Sequence, residues 1–151
     1  MDKSQKRGRY DRVYEQLSGL LNASGDMVSR MSTVAAVLHY KMDGFFWTGF
    51  YLRSNGNLLV GPYQGPVACQ VLAKDTGVCW MGINQRKTII VPDVEQFPGH
   101  IACDSRSRSE IVVPVRDKDD QIIAVLDVDS KHLDQFDETD AAGLEKIVGL
   151  I

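Results

Sequence analysis

Two apolar runs near the C-terminal end, Ile111 to Val115 and Ile122 to Val128, do most to limit what this chain can fold into. Both are rich in Val and Ile, and only the charged turn Arg116-Asp117-Lys118-Asp119-Asp120 parts them. Runs of that composition read as strands. A connection so short joins antiparallel neighbours, because a parallel crossover needs roughly a dozen residues or more. A second hairpin signal lies upstream. Phe45 to Leu52 (FFWTGFYL) is aromatic and β-prone, and Leu58-Leu59-Val60 follows across Ser54-Asn55-Gly56-Asn57, where Asn-Gly suits a tight turn. Val67, Ala68, Cys69, Val71 and Leu72 read as a third, short strand, and Ile89-Ile90-Val91 as another ended by Pro92.

Helical spacing frames these strands. Tyr10, Val13, Tyr14, Leu17, Leu20 and Leu21 form one apolar stripe. Asp26 is placed to cap a second helix running through Met27, Met31, Val34, Leu38 and Tyr40. Gly77 to Gln85 reads as a third, and Asp137-Glu138-Thr139-Asp140 opens a last one containing Leu144, Ile147, Val148 and Ile151. The order predicts an α+β fold with a mainly antiparallel central sheet and the N- and C-terminal helices packed on one face. From Glu95 to Ser109 the chain has no clear period, and loops of that length in compact domains are usually either functional or disordered.

A length of 151 residues suits one domain with a real core. The division predicted is a polar N-terminal tail over residues 1–9 followed by a single domain over 10–151. Residues 1–9 are basic but lead into no apolar segment, so no signal peptide is expected. No apolar run is long enough for a bilayer, which predicts no membrane partner and a cytoplasmic protein. A net charge of −3 gives no field for a polyanion, so nucleic acid is not an expected partner.

Three cysteines, Cys69, Cys79 and Cys103, carry the chemical interest. In a cytoplasmic chain they are either buried small hydrophobes or reactive thiols, and none sits in a C-x-x-C pair. Cys103 lies in the long loop beside His100, Arg106 and Arg108, any of which could supply the cation that stabilises a thiolate. It is either such a nucleophile or an incidental loop cysteine. If it forms a sulfenic acid, Cys69 or Cys79 can resolve it, although Cys79 sits in an apolar stretch that also suits a core residue. Asp127 and Asp129 alternate with apolar neighbours and so share one sheet face, where mutual repulsion raises a pKa unless both are solvated. Glu110 starts a strand and can hold an ammonium or cap the loop. Trp47 and Tyr51 share a face too, as pocket wall or as core. His39, His100 and His132 lack any paired spacing, which argues against a metal site.

The segments WTGFY (47–51), GPYQGPVAC (61–69), GVC (77–79), PDVEQFPGHIACDSRSRSEIVVPV (92–115) and IIAVLDVDS (122–130) together resemble the free methionine-(R)-sulfoxide reductases, single GAF-domain enzymes. The resemblance runs from about Val13 to the end of the chain, and the combination of GHIACD, SEIVVP and LDVDS is highly specific. It implies a GAF-like fold and a thiol oxidoreductase that converts free L-methionine-(R)-sulfoxide to methionine. Cys103 then matches the nucleophile, Cys69 the principal resolving cysteine, and Cys79 a further cysteine that passes the disulfide on. Asp127 and Asp129 match carboxylates that assist protonation of the sulfoxide oxygen. Glu110 matches the acid that holds the substrate ammonium, and Trp47 with Tyr51 the wall around the S-methyl group. No metal or organic cofactor is implied. The implied partners are a thioredoxin-like dithiol reductant and a second copy of the chain in a homodimer. The alternative is a non-catalytic GAF module that binds a small ligand or senses oxidant. One departure is Trp80, which follows GVC where many relatives have glycine.

Overall fold

The computed structural model describes residues 1–100 and 103–151, leaving Ile101 and Ala102 of the 95–109 loop outside the described residues. Four helices and six strands are formed among them: α1 (Lys3–Leu20), α2 (Met27–Lys41), β1 (Trp47–Ser54), β2 (Asn57–Gln64), β3 (Val71–Leu72), α3 (Gly77–Gln85), β4 (Ile89–Val91), β5 (Ser109–Arg116), β6 (Ile122–Ser130) and α4 (Glu138–Val148). All strand pairs are antiparallel, in the order β3-β2-β1-β6-β5-β4. The β5–β6 hairpin therefore lies inside the sheet, with every residue of β5 from Ser109 to Val115 buried.

The sheet separates two apolar layers. On one face Phe50, Ile111, Val113, Ala124, Leu126 and Val128 meet the stripes of α1, α2 and α4. On the other, Tyr51, Leu58, Val112 and Val125 meet α3, β4 and the segments around them. The N- and C-terminal helices thus share one face, and α3 has the opposite face, where the connecting loops converge.

Several local devices set these elements. Asn55 (φ 50°) and Gly56 (φ 81°) turn β1 into β2 with Ser54 opposite Asn57, the positive-φ pair that a two-residue hairpin favours. Asp26 accepts from the Ser29 amide to start α2, and Asp137 accepts from the Thr139 and Asp140 amides to start α4. Trp80 is buried in α3, where its Nε1 donates to Leu72 O at 3.3 Å, so the ring ties α3 to β3 while the helix still begins at Gly77.

Two expectations need correction. Residues 3–9 are not a tail: α1 starts at Lys3, where Asp2 and Gln5 form a reciprocal capping box. Lys6 Nζ then reaches Asp140 at 2.7 Å and Tyr10 OH donates to Asp140 at 2.6 Å, latching the first turns of α1 onto the start of α4. Polar helix formers with no apolar period carry no signal for a periodicity test, yet a cap and a distant carboxylate suffice to order them. The third strand is also shorter than read. Only Val71–Leu72 pairs with β2, while Cys69 precedes it outside the ladder. β2 itself runs on through Gly61 and Pro62 to Gln64 along β1.

Candidate active site

Cross-strand register assembles the site. Along β1–β6–β5, Trp47 lies opposite Asp129 and Asp129 opposite Glu110; two residues further on, Gly49 faces Asp127 and Asp127 faces Val112. With a side-chain period of two, these residues all project to the α3 face. Trp47, Tyr51, Glu110, Asp127 and Asp129 consequently line one cavity, which Cys79 from α3 and His100 and Cys103 from the long loop complete. Each candidate residue except Cys69 borders this cavity directly, and Cys69 reaches it through a covalent bond.

The aromatic wall is held from both sides. Trp47 stacks on Tyr51 (centroids 5.8 Å apart, planes 25° apart) and on Tyr63 (5.2 Å, 22°). Its Nε1 donates to Pro66 O at 3.0 Å, and Tyr51 OH donates to Cys69 O at 3.0 Å. The wall thereby fixes the segment that carries Cys69. Gly49 makes room for the ring: a Cβ there would sit 2.6 Å from Trp47 Cη2 and closer still to Tyr63 Cβ. Gly65, at φ +119°, lets the chain pass against the Phe46 carbonyl.

Cys103 is bonded to Cys69 across 34 residues, with Cα atoms 5.4 Å apart. Cys79 is free and buried, and burial followed by the nearby carboxylates pushes its thiol up. With the bridge closed the cavity measures about 50 Å3, far below the ~300 Å3 at the lower end of ligand pockets.

The carboxyl groups are crowded and short of positive charge. Glu110 and Asp127 are each 6% exposed and Asp129 is half-buried. Burial, reinforced by Asp129, pushes Glu110 up to about 8. Burial and then Glu110 raise Asp127, and burial and then Asp127 raise Asp129. Among the described residues no Lys or Arg pairs with any of the three. His100 Nε2 comes within 3.6 Å of Glu110 Oε1, but burial lowers its pKa and keeps the ring neutral near pH 7. Glu110 therefore keeps its proton at neutral pH, and burial favours the protonated form of Asp127 and Asp129, the form a general acid requires.

The sequence offers His100, Arg106 and Arg108 as cations beside Cys103, and the first two are engaged elsewhere. Arg106 grips Asp104 through two contacts of 2.9 and 2.6 Å, holding that carboxyl down at about 2, and its guanidinium lies 4.9 Å over the Phe46 ring. His100 faces Glu110 instead. That placement was invisible locally, since it depends on how the long loop folds back on β5. The packing of Trp47 over Gly49 was equally hidden, although the pair stands two residues apart in WTG.

The GAF domain family profile matches residues 29–151. GAF domain-containing protein A of Dictyostelium discoideum is 45% identical over 152 residues, covering 100% of this chain and 95% of that protein. The free methionine-R-sulfoxide reductase of Saccharomyces cerevisiae is 36% identical, covering 93% of this chain and 84% of the yeast protein. Among solved structures, free methionine-R-sulfoxide reductase from Neisseria meningitidis in complex with its substrate superposes with a TM-score of 0.92 at 41% identity, covering 99% of this chain and 88% of that one.

Proposed function

This chain belongs to the GAF-domain family of free methionine-(R)-sulfoxide reductases, and from that premise we propose that it reduces free L-methionine-(R)-sulfoxide to methionine with Cys103 as nucleophile. The observation that carries this reading is the Cys69–Cys103 bridge at a cavity lined by proton-bearing carboxyls. The Cys103 sulfur attacks the sulfoxide sulfur while Asp127 and Asp129, whose protonated forms burial and their neighbours favour, protonate the departing oxygen. The oxygen passes to Cys103 as a sulfenic acid and methionine leaves. The Cys69 thiol then displaces water and forms the disulfide. Substrate sulfur gains two electrons, and the two cysteines lose them.

Specificity for the free amino acid follows from charge. The α-ammonium of a free amino acid pairs with buried Glu110 as that carboxyl releases its proton to solvent, a charged partner that no Lys or Arg among the described residues supplies. A peptide-bound methionine sulfoxide has lost that ammonium to the amide. Trp47 and Tyr51 face the same cavity as an apolar wall for the S-methyl group. Because the bridged cavity is too small for an amino acid, substrate enters only after a dithiol has reopened the bridge. A thioredoxin-like protein in a reducing cytoplasm fits that demand. Cys79, buried and protonated, then relays the disulfide to the external dithiol.

In a thioredoxin-coupled assay, NADPH consumption with the R epimer should vanish in Cys103→Ser and stay near background with the S epimer. Unchanged turnover in Cys103→Ser removes the nucleophile, and equal rates on a methionine-sulfoxide peptide remove the role of Glu110. We further propose a homodimer through the helical face, where Leu20, Val28 and Tyr40 are exposed. Sedimentation should return twice the 16.8 kDa chain mass, and a monomer mass excludes it.

A further inference from the structure

One corner of the cavity also has the composition of a metal site. The Cys79 sulfur and one carboxylate oxygen each from Glu110 and Asp127 lie within 4.8 Å of one another, and all three residues are buried. Ligand atoms of a tetrahedral Zn2+ stand roughly 3.5 Å apart, given metal–sulfur and metal–oxygen bonds of about 2.3 and 2.1 Å. Rotamer-scale adjustment closes that difference. A second observation points the same way: Asp127 is 6% exposed, yet its Oδ1 finds no hydrogen-bond partner among the described residues. A buried carboxyl oxygen left without a hydrogen bond is costly, and a metal bond would satisfy it once the proton has left.

We propose that Cys79, Glu110 and Asp127 form a binding site for a thiophilic divalent cation of the Zn2+ class. The thiol and both carboxyls give up their protons to the solvent as the metal binds, so a dication replaces the protons that now offset their charge. The donor set selects the metal. One sulfur with two oxygens suits Zn2+ or Co2+, whereas Mg2+ and Ca2+ require oxygen ligands throughout. The fourth position opens towards the cavity, where neutral His100, 3.6 Å from Glu110, borders it. The absence of paired histidines in the sequence does not bear on this site, because it is built from a helix and two strands. Resting on the functional reading above, the cation and the substrate ammonium compete for Glu110.

The oxidised protein makes the test clean, since two of the three cysteines are bridged and only Cys79 can offer a thiolate. Titration with Co2+ should develop a thiolate-to-cobalt charge-transfer band that saturates at one equivalent. The band should disappear in Cys79→Ala, and its titration should shift to higher cobalt in Asp127→Asn. The same titration on a reduced Cys69→Ser/Cys103→Ser variant tests the site with the bridge absent. No band in either preparation, or a band that survives Cys79→Ala, overturns the cation site. On the double variant, added methionine should displace the cobalt. Cobalt retained at saturating methionine overturns the shared use of Glu110, while sulfoxide turnover, assayed separately, decides the functional reading.

Discussion

At Glu110, burial and a neighbouring carboxylate act in the same direction, and the consequence extends to folding. Its pKa rises from an ordinary carboxyl value to about 8. The native state therefore binds a proton that the unfolded chain releases at much lower pH. Stability from this group is complete below the unfolded value and is lost as pH rises through about 8. Between pH 7 and 8, urea unfolding of the oxidised protein should show stability falling with pH, Glu110 contributing up to about 1.4 kcal/mol per pH unit. Glu110→Gln should flatten that slope, and a wild-type slope that rises with pH contradicts the argument. Asp127→Asn removes a proton donor while keeping the shape, so kcat on the sulfoxide should fall on the order of 100-fold or more. A kcat within a factor of about two would exclude general-acid work by this residue. The alternation of Asp127 and Asp129 with Leu126 and Val128 already told which face they share. What the sequence withheld was Glu110 as their neighbour, because strand register between β5 and β6 is a non-local property.

Among the elements, those with strong apolar periods were legible from the chain. α2, α4, β4, β5 and the Asn-Gly hairpin carry their caps, turns and spacing in plain view. The misread segments lacked such a pattern. Lys3 to Arg9 is polar and becomes helical through Asp2 and the distant Asp140, and β2 continues through Gly61 and Pro62 because β1 offers it a ladder. The Asp140 latch is a testable part of that account. Asp140→Ala leaves Lys6 and the buried Tyr10 hydroxyl without their main partner, which should cost about 3 kcal/mol in chemical denaturation. A loss under about 0.5 kcal/mol, the range of surface substitutions, would show that the latch contributes little. On β1, Gly49→Ala forces the Trp47 ring off its strand. We expect destabilisation of about 1–3 kcal/mol with a raised KM, and an unchanged KM would remove Trp47 from the pocket wall.

For the molecule as a whole, the bridge joins the segment before β3 to the loop before β5, holding together regions that the sheet places on one face. Closing a loop of 34 residues restricts the unfolded chain by about 4 kcal/mol in the chain-entropy view. The oxidised form should therefore melt well above the same protein in excess dithiol, and equal melting temperatures would mean that the reduced unfolded chain is already compact there. No helix among the described residues is long and apolar enough to cross a membrane. The fold class could be read from strand and helix order, whereas the residues alone left both Cys69 and Cys79 open as the partner of Cys103, and only the family resemblance singled out Cys69. The Tyr51–Cys69 hydrogen bond and the burial of Cys79 separate them in space.

The Cys69–Cys103 pair also makes each chain, once its bridge is opened, a store of two electrons. A fully reduced chain can hand over one pair and then stands idle until it is recharged. Mixed with excess sulfoxide and no dithiol, the protein should release a burst of one methionine per chain and stop, so that the burst height counts the chains that began charged.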